Sequence, residues 1–184
     1  MTELSLNVLD VAQNSVKAGA GLIEITVSAD TKADRLVITI KDDGCGMSEE
    51  QVSRVTDPFY TTRTTRKVGL GVPFYKLAAE STGGSFEITS QVGVGTTVTA
   101  EFVISHIDRM PLGDMTETMH SLITMNADSD FLYTYRIDGR EFTLDTREFR
   151  EILGGVPFNT PEVSEYIKEY LKENKEETDK GVVI

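Results

Sequence analysis

Residues 35–47 read RLVITIKDDGCGM, an apolar–polar alternation rich in β-branched side chains that runs without a break into paired aspartates and two glycines. The alternation predicts a half-buried strand. At its end the glycines let the backbone come close to a planar ligand, and a carboxylate there can accept a hydrogen bond from an exocyclic amine. Working back along the chain, LIEITVSAD (22–30) repeats the alternation, and the short polar segment 31–34 separates it from the first strand, so the two predict a hairpin. Before the hairpin, Leu4, Val8, Val11, Ala12 and Val16 fall at helical spacing and Gly19 follows as a stop signal, predicting an amphipathic helix over 4–17. Asp10 and Asn14 sit one turn apart on that helix. A side-chain amide there can complete the oxygen shell of Mg²⁺, and a carboxylate one turn earlier can orient or deprotonate an attacking group.

Working forward, Ser48 with Glu49 and Glu50 marks the cap of a short helix. DPFYTTRTTRKVGLGVP (57–73) then joins hydroxyls and three cations to a Gly-x-Gly at a helix start, with Pro73 suited to the first turn of a helix over 72–82 that ends at Gly83-Gly84. Backbone N–H groups at such a start favour phosphate, and Arg63, Arg66 or Lys67 adds positive charge. SFEITS and TTVTAEFVI read as two more strands around QVGVG, and Thr96 or Thr97 reaches the Asp42 region if that strand runs beside the first. From about residue 105 the pattern changes to a helix through Met125, a hairpin turning at Asp138-Gly139, a short helix in TREFREIL, and a final helix from Pro161 to about Asn174. The remaining residues, charged and then apolar, predict a frayed end. No internal repeat is visible.

Composition bounds the function. With 39% hydrophobic and 26% charged residues, the 184-residue chain is of the globular class, long enough for one α/β domain and a smaller appendage. No stretch is long and apolar enough to span a bilayer, so the expectation is a cytoplasmic protein with no membrane partner. One cysteine, Cys45, argues against disulfide or zinc chemistry. Residues 1–100 carry 9 basic and 12 acidic side chains and 101–184 carry 9 and 18, for a net charge of −12. That balance disfavours a nucleic-acid partner.

Taken in order, NSVKAGA with its preceding acid, DDGCGM, DPFYTT with GLGV, and GVGTT resemble the N box and glycine boxes of the GHKL superfamily, which holds histidine kinases, anti-sigma kinases and the MutL and Hsp90 ATPases. The resemblance covers about residues 4–104. It implies a two-layer α/β sandwich with a mixed sheet, helices on one face, and a small α+β extension over 105–184. It also implies ATP and Mg²⁺ as cofactors: Asn14 as metal ligand, Asp42 reading adenine, Gly44, Gly46 and Met47 beside the base, and Thr96 supporting adenine through a bridging water. Gly69, Leu70 and Gly71 would cap the phosphates, with Arg63 or Lys67 as lid cations. Asp10 stands where MutL-like and anti-sigma members place a glutamate acting as general base, one methylene longer. The lid reads KVGLGV where the family usually has GTGLGL, a departure that removes a small, flexible pair.

Because the N-box helix begins almost at Met1, no acceptor-histidine domain is expected in this chain, and neither His106 nor His120 lies in an acceptor-like context. The resemblance therefore implies a stand-alone module like the anti-sigma kinases, acting in trans on a protein partner or phospho-acceptor. A non-catalytic, nucleotide-gated binding module and an ATP-dependent dimerising ATPase, working as a homodimer, are the alternatives. DGREFTLDTREFREIL is similar to the end of bacterial stand-alone ATP-binding proteins, and the same segment read structurally extends the main sheet.

Overall fold

The structure, a computed structural model, describes residues 2–59 and 70–184. Its elements run α1 (Leu4–Lys17), β1 (Leu22–Asp30), β2 (Arg35–Asp42), α2 (Glu49–Val55), α3 (Gly71–Glu80), β3 (Ser85–Gln91), β4 (Gly95–Val103), α4 (Met115–Met125), β5 (Asp130–Ile137), β6 (Arg140–Asp145), α5 (Thr146–Ile152) and α6 (Pro161–Asp179). The strands form one sheet in the order β3-β4-β2-β1-β5-β6. All neighbours are antiparallel except β1 and β5, which makes the sheet mixed.

The alternation seen in the sequence becomes two unlike faces, because successive side chains of a strand point to opposite sides. One face carries Ile23, Ile25 and Val27 of β1, Leu36, Ile38 and Ile40 of β2, Val98, Ala100 and Phe102 of β4, and Phe131, Tyr133 and Tyr135 of β5, all buried. The helices cover this face, each fully buried Val, Leu or Ile contributing about 1.5–3 kcal/mol. The other face is polar. Thr143, Thr134, Thr26, Thr39 and Thr99 stand in one register row across β6, β5, β1, β2 and β4.

The hairpin after residue 104 adds to the main sheet, since β5 pairs with β1 from Leu22–Asp130 to Ala29–Ile137. Asp138 and Gly139, both at positive φ, make its tight turn. The two hairpin turns are tied together: Thr31 donates from its N–H and its hydroxyl to the Asp138 carboxylate, each at 2.8 Å.

The chain end departs from the frayed segment the sequence suggests. α6 continues to Asp179, five residues past Asn174, and Thr178 and Asp179 are buried. Arg140 donates to the Thr178 carbonyl, Lys175 pairs with Asp179, and the Leu112 N–H donates to the carbonyl of Ile184, itself buried. Two of these partners, Arg140 and Leu112, are distant in sequence from the tail they hold. Among the described residues no helix is long and apolar enough to cross a membrane.

Candidate functional site: a cavity between the first helix and the glycine turn

A cavity of about 140 Å³ opens where the ends of β2, β3 and β4 meet α1. Val11, Ala18, Val55, Val72, Ile88 and Val98 form apolar walls, and Asn14, Ser15, Asp42 and Thr96 supply polar groups. Cys45, Gly46 and Met47 complete the lining.

Asp42 is the last residue of β2 and 9% exposed. It shares the side of the sheet that carries Leu36, Ile38 and Ile40, so strand alternation alone carries a carboxylate to the end of the core face. Its oxygens are held separately: Oδ2 accepts from the Ser15 hydroxyl at 2.5 Å and Oδ1 from the Gly44 N–H at 2.9 Å. The neighbouring Asp43 faces elsewhere and accepts from the N–H groups of Gly21 and Leu22, fixing the entry to β1. Two adjacent aspartates thus have different work.

Thr96 stands directly opposite Asp42 across the β2–β4 pair, and Ser90 stands opposite Thr96 across β4–β3. A polar row, Asp42–Thr96–Ser90, therefore closes the apolar face at this end. Ser90 also accepts from the Met47 N–H at 2.8 Å, which ties the glycine turn to β3. At Gly46, φ is +68° and a Cβ would fall 2.0 Å from the Gln91 carbonyl oxygen, so only glycine permits this turn to lie on the β3–β4 connection.

The N-terminus of α3 meets α1 at a second close approach. A Cβ on Gly71 would stand 2.8 Å from Asp10 Cβ and 3.3 Å from Asp10 Oδ2. Asp10, half-buried, thus packs on the first residue of α3 one turn from Asn14, and it is not among the residues lining the cavity. Leu70 takes the N-cap position of α3 and supplies no side-chain bond to the first turn. The Phe74 N–H donates to the Leu70 carbonyl. Nearby on α3, Tyr75 is fully buried, which raises its phenol well above the ordinary value and keeps it neutral.

Of the residues singled out in the sequence, Asn14, Asp42, Gly46, Met47 and Thr96 share this cavity, Gly44 bonds to Asp42, and Asp10 contacts Gly71. Arg63, Lys67 and Gly69 lie outside the described residues. Sequence reasoning missed Ser15 and Ser90. Both carried a signal, since Ser15 continues the buried stripe Leu4, Val8, Val11 and Ser90 continues Phe86 and Ile88 on one side of β3. A hydroxyl on a core stripe needs a partner. Among the described residues no group of three or more His, Cys, Asp or Glu side chains could hold a metal ion.

The chain is similar to known proteins in sequence and in fold. Over 102 residues the chain is 33% identical to the sensor protein SrrB of Staphylococcus aureus, covering 53% of this chain and 17% of that protein, so it spans a small part of that relative's length. The fold is similar to the crystal structure of the N-terminal domain of a DNA repair protein (TM-score 0.54, 16% identity, 79% of this chain and 53% of that one). It is also similar to the Aquifex aeolicus MutL ATPase domain complexed with ADP (TM-score 0.50, 17% identity, 84% of this chain and 70% of that one). Residues 2–106 match the family model described as histidine kinase-, DNA gyrase B- and HSP90-like ATPase, and with more than half of its length so matched the chain belongs to that family.

Proposed function

We propose that this chain binds ATP with Mg²⁺ in the cavity beside Asp42 and acts in trans on a protein partner, as a regulatory kinase or ATPase. The observation that carries the reading is the Asp42 carboxylate, steadied by Ser15 and Gly44 and facing Thr96, in a cavity whose walls are largely apolar. Apolar walls take the faces of a planar base, and a fixed carboxylate accepts from its exocyclic amine. The ADP held by the MutL domain of similar fold supports a nucleotide as the ligand.

In this reading Gly44, Gly46 and Met47 border the base, and Thr96 stands at the edge that carries its amine. The α3 start at Leu70 and Gly71, whose first turn no side chain caps, faces the phosphates with Gly69 before it; its N–H groups and dipole suit an anion. Arg63 and Lys67 add charge from the lid. Asn14 suits the single protein oxygen that a Mg²⁺ bound chiefly by phosphates and water requires, and the metal would neutralise charge on the phosphates. Asp10 takes the proton from an attacking hydroxyl or water as its oxygen bonds to the γ-phosphorus and the bond to ADP breaks. The division of labour we propose is nucleotide binding by 1–104 and partner contact by the acidic 105–184 extension, in a cytoplasmic setting.

One observation favours a second reading, a non-catalytic module gated by nucleotide: Asp10 packs on Gly71 and is not among the cavity-lining residues. Incubation with γ-labelled ATP and candidate partners separates the two. The kinase or ATPase reading expects slow release or transfer of label that Asp10→Asn abolishes; intact binding without turnover leaves the gated module. A nucleotide-dependent rise in mass by light scattering marks the dimerising ATPase instead.

A further inference from the structure

We infer that Ser90 sets the nucleobase preference of the cavity, by fixing the direction in which the Thr96 hydroxyl points its proton. The inference rests on the ATP-binding reading above and concerns a residue that does not line the cavity.

A serine hydroxyl has one proton and two lone pairs. The Met47 N–H, which can only donate, lies 2.8 Å from Ser90 Oγ and takes one lone pair. The Gly95 carbonyl, which can only accept, lies 3.1 Å away and takes the proton. Thr96 Oγ1 lies at 2.7 Å, and the one lone pair left on Ser90 requires Thr96 to be the donor. This is the only assignment in which all three contacts are hydrogen bonds. It uses up the proton of Thr96 and leaves its lone pairs for whatever occupies the cavity it lines.

Ser15 behaves in the same way. Its proton goes to Asp42 Oδ2 at 2.5 Å, and its lone pairs remain. Asp42, Ser15 and Thr96 together present acceptors without a donor, and Ser90 is what keeps Thr96 in that role. A purine with an amine at position 6 meets these groups with two N–H donors beside the single lone pair of N1. A 6-oxo purine brings lone pairs against lone pairs, though its N–H at position 1 can still donate to Asp42, so it is weakened and not excluded.

Replacing Ser90 frees the Thr96 hydroxyl to turn and donate to a 6-oxo group. The test measures the dissociation constants of ATP and inosine triphosphate by calorimetry on the full chain, for wild type and for Ser90→Ala, Ser90→Cys and Ser90→Thr. Wild type is expected to prefer ATP by about tenfold or more, the kind of rejection a site built to accept N–H shows toward an analogue lacking it. Ser90→Ala lowers that ratio by at least about fivefold, mainly by tighter binding of inosine triphosphate through the released hydroxyl. Ser90→Cys, close in shape and a poor acceptor, moves the ratio the same way if the alanine variant does not fold. Ser90→Thr restores it. Equal weakening of both nucleotides, with the ratio unchanged, assigns Ser90 a structural role only and overturns the inference, as does a wild type without preference. Wild type binding neither nucleotide overturns the ATP reading, and this inference with it.

Discussion

The Ser15 hydroxyl donates to Asp42 Oδ2 at 2.5 Å, joining the first helix to the end of the second strand across 27 residues of sequence. The contact is buried, with Ser15 4% and Asp42 9% exposed. Ser15→Ala removes a bond to a charged acceptor. It is expected to lower unfolding free energy by about 1–2 kcal/mol and to weaken ATP by about fivefold, because the carboxylate is no longer steadied. Chemical denaturation and calorimetry on the same variant give both numbers, and unchanged affinity would separate Ser15 from the ligand.

Gly71 and Asp10 supply a second prediction. A side chain at residue 71 collides with Asp10 Cβ, so Gly71→Val forces α3 away from α1 and costs about 1–3 kcal/mol. The three nearest atoms that such a side chain would meet all belong to Asp10. In an Asp10→Gly background the same substitution is therefore expected to cost less, a coupling that a double-mutant cycle reads directly. Additive effects would show that the two helices are held apart by something else.

Asn7 lies on the buried side of α1 with no exposure, and neither atom of its amide meets a hydrogen-bond partner among the described residues. A buried amide left unpaired costs about 1–3 kcal/mol. Asn7→Leu is accordingly expected to raise stability by about 1 kcal/mol, measured as a higher midpoint in urea. A lower midpoint would mean that the amide is satisfied in solution.

The pair of hairpin turns predicts a pH effect. The Thr31 N–H, and then its hydroxyl, hold the Asp138 carboxyl below its ordinary value of 3.8. A group depressed in the folded state contributes its stability fully above the unfolded value and loses it as pH falls through the lower, folded one. Wild type should therefore lose this part of its stability below about pH 4, whereas Asp138→Asn, which keeps the turn, lacks it at neutral pH already. Melting curves of the two proteins should converge as pH falls; parallel curves would exclude the turn contact from stability.

How much of this was legible in the sequence depends on the range of the interaction concerned. α1, the hairpin β1–β2 and the turn at Asp138-Gly139 follow from local periodicity and turn chemistry, and the structure has them where the pattern places them. Thr96 was readable as a neighbour of Asp42 only on the condition that their strands pair, which they do. The end of α6 was not readable, because the polar run after Asn174 is held by Arg140 and Leu112, residues that only the tertiary fold brings near. In the site, a carboxylate beside glycines announces itself, whereas the hydroxyls behind it, Ser15 bonded to Asp42 and Ser90 bonded to Thr96, look like breaks in an apolar stripe until their partners are seen.

The central claim is that the cavity beside Asp42 holds ATP. It is tested most directly by calorimetric titration of the full chain with ATP in the presence of Mg²⁺, alongside Asp42→Asn and Asn14→Ala. The account predicts saturable one-site binding to wild type, a loss of about tenfold or more in affinity for Asp42→Asn at any Mg²⁺ concentration, and a loss for Asn14→Ala confined to solutions containing Mg²⁺. Binding that survives both substitutions unchanged, or no binding to a folded wild type, would contradict it.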